Sequence, residues 1–396
     1  MTTKTPRRTT GRVGPLAARL GECPALDVDA LLDDLQTQVI ICTGSGGVGK
    51  TTTSAALALR AAERGRKVVV LTIDPARRLA QSMGIEKLDN EPRPVPGVDS
   101  AGGGSLDAMM LDMKRTFDEV VESQASPEKA AAILNNPFYV TLSSSFAGTQ
   151  EYMAMEKLGQ LRQDARKTGR WDLIVVDTPP ARSALDFLDA PERLSGFLDG
   201  RFIRLLLAPA KGPAKLMTAG VGAVTNTMAK VVGAQVLKDL QMFVAAFDTL
   251  FGCFRNRAQQ TYQLLQTKET AFLVVAAPEA DALREAAYFV ERLDAEAMPL
   301  AGLVVNRATE PLDGLSAEQA VAAAERLEAA DGSAAATTTG VLRLHADRMR
   351  RVAREHKMRE RFQAAHPHVP TVVVPALSTD VHDLEGLRTV GNLLAG

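Results

Sequence analysis

Eight residues constrain this chain more than any others. Gly44-Ser45-Gly46-Gly47-Val48-Gly49-Lys50-Thr51 fits the pattern G-x-x-x-x-G-K-[ST] without a gap. The apolar run Val39-Ile40-Ile41 leads into it, and Thr52 to Arg64 leaves it with apolar residues at helical spacing. Strand, glycine turn and helix form the context in which the pattern specifies a phosphate loop. The glycines let backbone N–H groups of Gly46, Gly47, Val48, Gly49, Lys50, Thr51 and Thr52 turn inward around a polyphosphate, which then sits on the positive end of the helix. Lys50 is placed to reach the outer phosphates, and the Thr51 hydroxyl to ligate magnesium. The expectation is a nucleotide-binding α/β fold: a mostly parallel sheet covered by helices on both faces, with ATP and Mg2+ as its ligands.

The rest of the chain agrees with that class. Lys67 to Ile73 and Trp171 to Val176 read as buried parallel strands, and Ala108 to Asp112 as a third. Further strands are expected at Ala271 to Ala276, Leu300 to Val305 and Thr371 to Val374. Helices at Asp281 to Leu293, Ala317 to Ala329 and Val341 to Ala364 separate them. Between 194 and 265 strand candidates vanish and helical periodicity takes over, with methionines at 217, 228 and 242. The expected organisation is a tail over 1–24, a core over 25–193, a helical insertion over 194–265 and a second core part over 266–396. Within that last part, the Ala/Thr-rich run 331–340 reads as a flexible loop.

Composition narrows the function classes. The 46 basic and 47 acidic residues leave a net charge of −1, which argues against nucleic-acid or general membrane-surface binding. Three scattered cysteines, none in a C-x-x-C pair, form neither a disulfide framework nor a zinc site. No segment reads as a secretory signal or membrane span, so a cytoplasmic location is expected.

Phosphoryl transfer needs a carboxylate near magnesium and a group that orients the attacking water. Asp177 and Asp74 each follow an apolar strand, at the edge where an open α/β sheet binds its ligand. Asp177, after Leu173-Ile174-Val175-Val176, is assigned to the metal, directly or through water. Asp74, after Val68 to Ile73, is assigned to the nucleophilic water. A cap on the following helix is the alternative for both. Asn306, ending Gly302-Leu303-Val304-Val305, is placed either to read a base edge or to sit in a turn. With no N-K-x-D or T-K-x-D run anywhere, adenine is the expected base.

Taken together, Thr43 to Thr52, Asp74-Pro75-Ala76, Val176-Asp177-Thr178-Pro179 and Val305-Asn306 resemble the ArsA/guided-entry ATPase family, and within it an actinobacterial anion-transporting branch. That family includes the arsenite-pump ATPase and the ATPase that targets tail-anchored membrane proteins. The resemblance implies that Asp74 lies in switch I and Asp177 opens switch II, and that Asn306 with Val374-Pro375-Ala376-Leu377 flanks adenine. It also implies a nucleotide-gated dimer, homomeric or with a paralogous ATPase subunit, with ATP clasped between protomers.

Four departures from the family pattern matter. Ser45 stands where a lysine reaches the partner's phosphates, so a lysine-bearing paralogue is the expected partner. Switch II carries Pro180-Ala181-Arg182-Ser183 after Thr178-Pro179, without the family's histidine, and switch I has Arg77-Arg78. The zinc and arsenite-binding cysteines are absent, which argues against arsenite extrusion. In the targeting ATPases the insertion forms a methionine-rich groove for an apolar client. Here it is read either as such a groove, for a hydrophobic or membrane-protein client, or as an ordinary helical subdomain. A soluble energising subunit of a transporter and a ParA/MinD-like scaffold remain the alternative functions.

Overall fold

The computed structural model describes residues 24–74, 78–137, 139–140, 149–179, 256–329 and 335–396. Eight strands form one sheet: β1 (Val39–Thr43), β2 (Lys67–Thr72), β3 (Arg93–Pro94), β4 (Ser105–Met110), β5 (Leu173–Asp177), β6 (Thr270–Ala276), β7 (Leu300–Ala308) and β8 (Thr371–Pro375). Their order is β3-β4-β2-β5-β1-β6-β7-β8. Every pairing is parallel except the edge pair β3–β4. The helices are α1 (Val28–Asp33), α2 (Lys50–Glu63), α3 (Arg78–Ser82), α4 (Met113–Gln124), α5 (Pro127–Leu134), α6 (Thr149–Thr168), α7 (Ala280–Ala295), α8 (Ala317–Ala329), α9 (Ala335–Ala365) and α10 (Leu384–Ala395).

The central strands are apolar at every position because both faces are covered, and alternation decides which layer each residue enters. Val39 and Ile41 of β1, with Val69 and Leu71 of β2, join a core with α4, α6 and α7 through Phe117, Leu158 and Phe289. Ile40 and Cys42, with Val68 and Val70, join the opposite core against α2 and α10, through Leu57, Leu59 and Leu387. The apolar face of α10 is thereby buried on the sheet's helical layer.

Three boundaries differ from the sequence reading; the first is the end of β7, which runs to Ala308 rather than Val305. β4 begins at Ser105 rather than Ala108, because it pairs residue for residue with β2 from Lys67↔Ser105 onward. Residues 335–340, expected in a loop, form the first turns of α9, where Thr339 is buried. The α8–α9 hairpin has a small core of its own, Ala317, Ala320 and Ala346, and packing there overrides the weak helix preference of the threonines. Of the expected insertion, residues 256–265 are described and helical, with Ala258 and Leu265 buried in the core that holds Phe117, Leu158 and Phe289. Met217, Met228 and Met242, the altered switch II segment from Pro180 onward, and Arg77 lie outside the described residues.

The candidate nucleotide site

β1 occupies the middle of the sheet, with β5 on one side and β6 on the other. Successive connections leave it in opposite directions, and the crevice at its carboxyl end is where such sheets take their ligand. The loop of residues 44–49 opens there, and two of its glycines are forced. Gly44, at φ 150°, would put a Cβ 2.0 Å from the Val275 carbonyl oxygen. Gly49, at φ 97°, would put one 2.2 Å from Asn306 Nδ2. Gly49 is also the N-cap of α2 and supplies no side chain to it, so the first-turn N–H groups keep their capacity for an anion.

A pocket of about 1040 Å³ lies over this loop. Gly46, Gly47, Gly49, Lys50, Thr51, Thr52, Asp74, Asn306, Pro375 and Leu377 all line it. Thus the expected site residues converge from α2 and the ends of β2, β7 and β8, with two in supporting positions. Val48 is buried beneath the loop and accepts a hydrogen bond from Asn306 Nδ2 at 2.8 Å. Asn306 therefore braces the loop while it lines the pocket. Asp177 lies behind Thr51, fully buried, rather than in the pocket wall.

The side chains around Asp177 form one connected set. Its Oδ2 accepts from the Thr51 hydroxyl at 2.8 Å and from the Thr72 hydroxyl at 2.9 Å. Thr72 Oγ1 in turn accepts from the Asp74 N–H at 3.2 Å. The register Thr72↔Asp177 sets these contacts, and it joins the ends of β2 and β5 to the start of α2. Asp177 Oδ1, in contrast, is buried and has no partner among the described residues. Burial pushes the Asp177 pKa up to about 6, although both hydroxyls and Lys50 favour its charged form.

Lys50 Nζ donates to the Ser45 carbonyl at 2.8 Å, inside the arc of the loop. Burial pulls its pKa down, opposed by Asp177 and Asp74. Cys42 lies under the loop, where burial pushes its thiol up to about 12 and leaves it an inert core residue.

The donor set suits a hard divalent cation: a threonine hydroxyl at the pocket and a buried carboxylate with one orphaned oxygen behind it, the rest of the shell left to phosphate and water. Among the described residues no cluster of three or more His, Cys, Asp or Glu is arranged to hold a metal by itself. Thr72 was not anticipated from the sequence, since a threonine ending a strand carries no signal until its pairing with Asp177 is known. Among the described residues no helix is long and apolar enough to cross a membrane.

Comparison with known proteins agrees with this geometry. Over 227 residues the chain is 30% identical to the ATPase GET3 of Malassezia globosa, covering 56% of this chain and 64% of that protein. It is 26% identical over 296 residues to the ATPase GET3 of Podospora anserina, covering 74% and 80%. It is 27% identical over 274 residues to an ATPase ASNA1 homolog of Cryptosporidium parvum, covering 69% and 66%. Residues 37–324 match the profile of the anion-transporting ATPase family; with its phosphate loop, sheet order and relatives all in agreement, the chain belongs to that family of ATPases.

Proposed function

We propose that the pocket binds Mg2+-ATP and hydrolyses it to ADP and phosphate, with the chain acting as a nucleotide-switched protomer of a dimer. The observation that carries this reading is the hydrogen-bonded line from Asp74 through Thr72 and Asp177 to Thr51, ending at a glycine-rich loop whose helix has no side-chain cap.

Each residue has a distinct task in this reading. The loop amides and Lys50 hold the phosphates and neutralise charge as the terminal phosphoryl leaves. Lys50 exchanges the Ser45 carbonyl for phosphate oxygen, which is the stronger, charge-assisted partner. Thr51 and, directly or through water, Asp177 would hold the magnesium, which would supply charge neutralisation across the phosphates. Asp74, at the pocket wall, orients the attacking water and accepts its proton. Asn306, Pro375 and Leu377 frame the adenine.

The dimer partner is a second copy or, because Ser45 offers no cation, a paralogue with lysine at that position. Clients follow from the family reading: an apolar segment or membrane protein carried by the 194–265 region, or a membrane transporter energised by the dimer. Asp74→Asn tests the assignment. ATP affinity is expected to stay within about threefold, while turnover falls by about 10²–10⁴, the usual worth of a positioned base. Turnover that survives the substitution would remove Asp74 from the mechanism.

A further inference from the structure

Among the described residues only two other than glycine have positive φ: Ala297 at 54° and Arg307 at 62°. Ala297 is explained locally. It follows the end of α7, and Met298 N–H bonds back to the Leu293 carbonyl at 2.8 Å in the usual left-handed helix stop. Arg307 ends no helix. It lies inside β7, where the register with β8 runs Val305↔Val373 and then Ala308↔Pro375. Two residues, Asn306 and Arg307, therefore oppose one, a β-bulge of the kind that re-aims side chains beside active sites.

The bulge is fixed from both sides. Beyond it, Ala376 N–H bonds to the Ala308 carbonyl at 2.9 Å. The Thr309 N–H and hydroxyl both donate to Glu355 of α9, each at 2.7 Å. An uncommon backbone conformation persists where its surroundings over-determine it, and such places cluster at ligand clamps. Here the conformation turns Asn306 under the loop and Arg307 onto it. Arg307 Nη1 donates to the Gly47 carbonyl at 2.9 Å. That is its one protein partner among the described residues, so most of an exposed, fork-shaped donor remains for another acceptor. The side chain also borders two spaces at once: the nucleotide pocket and a neighbouring cavity of about 760 Å³ that begins at Ser45.

We propose that Arg307 is a phosphate-binding residue of this site. Its guanidinium leaves the Gly47 carbonyl for the outer phosphates of the nucleotide and supplies, from within the chain, a second cation beside Lys50 on the side of the loop where Ser45 offers none. A carbonyl is a weaker partner for guanidinium than phosphate, which Arg engages bidentately, so the exchange is favourable. The inference rests on the reading of the pocket as an ATP site. It does not depend on which residue a dimer partner brings.

The test is the binding of ATP, ADP and AMP to the full chain by calorimetry, with AMP measured by competition. Arg307→Asn is the informative variant, because asparagine tolerates the left-handed backbone. ATP affinity is expected to fall tenfold or more and AMP affinity to stay within twofold, with an unchanged or higher melting temperature. Arg307→Lys should recover part of the ATP affinity. Arg307→Gly, which accepts the backbone without strain, should repeat the Asn result and covers the case in which the Asn variant folds poorly.

Equal losses for ATP, ADP and AMP would show a mere brace of the loop and overturn the proposal, as would unchanged ATP affinity. A wild-type chain that binds AMP as tightly as ATP would overturn the phosphate contact alone. One that binds no adenine nucleotide would overturn the site reading with it.

Discussion

Two buried charges stand at opposite ends of the same sheet, and they are treated differently. At the amino end Arg66, 4% exposed, is saturated. Its Nε meets Asp172 Oδ1 at 2.5 Å, and its terminal nitrogens donate to the carbonyls of Leu32, Asp34, Thr37 and Asp172 at 2.8–3.2 Å. At the carboxyl end Asp177, fully buried, has two hydroxyl donors on one oxygen and none on the other. A buried charge is costly unless it is paired and hydrogen-bonded. Arg66 meets that requirement within the chain and ties α1, β2 and the start of β5 together. Asp177 meets it halfway, and its raised pKa is the consequence. The saturated charge holds the fold; the unsaturated one keeps a buried acceptor oxygen without a donor.

The comparison can be broken first at Arg66. Arg66→Ala leaves the buried carbonyls of Leu32 and Thr37 and the half-buried ones of Asp34 and Asp172 without their donor, and should cost about 2–5 kcal/mol of stability, at about 1–3 kcal/mol for each buried acceptor left unsatisfied. Chemical denaturation would measure it. Wherever the variant remains folded, ATP affinity should be unchanged, since nothing in the network touches the pocket.

A smaller effect should follow at the other end. Thr72→Val removes one of the two donors to Asp177 without changing the side chain's shape much. A hydrogen bond to a charged group contributes about 1.5–3 kcal/mol, so Mg2+-ATP affinity should drop by about tenfold. The pH dependence follows from the raised pKa. In the protein without metal, Asp177 is protonated below about pH 6, and the cation needs the carboxylate, so affinity should fall as pH drops through 6. Losing a donor pushes that pKa higher, and in Thr72→Val the fall should begin above pH 6. For the stability of the nucleotide-free fold the sign is opposite. A raised carboxyl pKa favours the folded state fully below about 3.8, and this contribution is lost as pH rises through about 6.

Much of the sheet was legible because parallel strands buried on both faces read as unbroken apolar runs: Val39-Ile40-Ile41, Val68 to Leu71 and Leu303-Val304-Val305 show it plainly. The places of the loop and the two aspartates were legible because they follow motif and strand end. Residues whose roles arise from pairing were not. Thr72 matters through its register with Asp177, and Arg307 through a bulge against β8. Arg66 carries no sequence signal of its role, because its acceptors come from two distant segments, 32–37 and Asp172. The start of α9 was missed because three consecutive threonines argue for a loop until the hairpin partner α8 is present.

The most direct measurement is the gain in ATP affinity brought by Mg2+, compared between the wild-type chain and Asp177→Asn. Asparagine keeps the shape and still accepts from Thr51 and Thr72, but carries no charge for a cation. Mg2+ should strengthen ATP binding in the wild type, and that gain should shrink at least tenfold in Asp177→Asn while persisting in folded Arg66 variants. An undiminished gain in Asp177→Asn would contradict the assignment of the half-satisfied carboxylate to the metal.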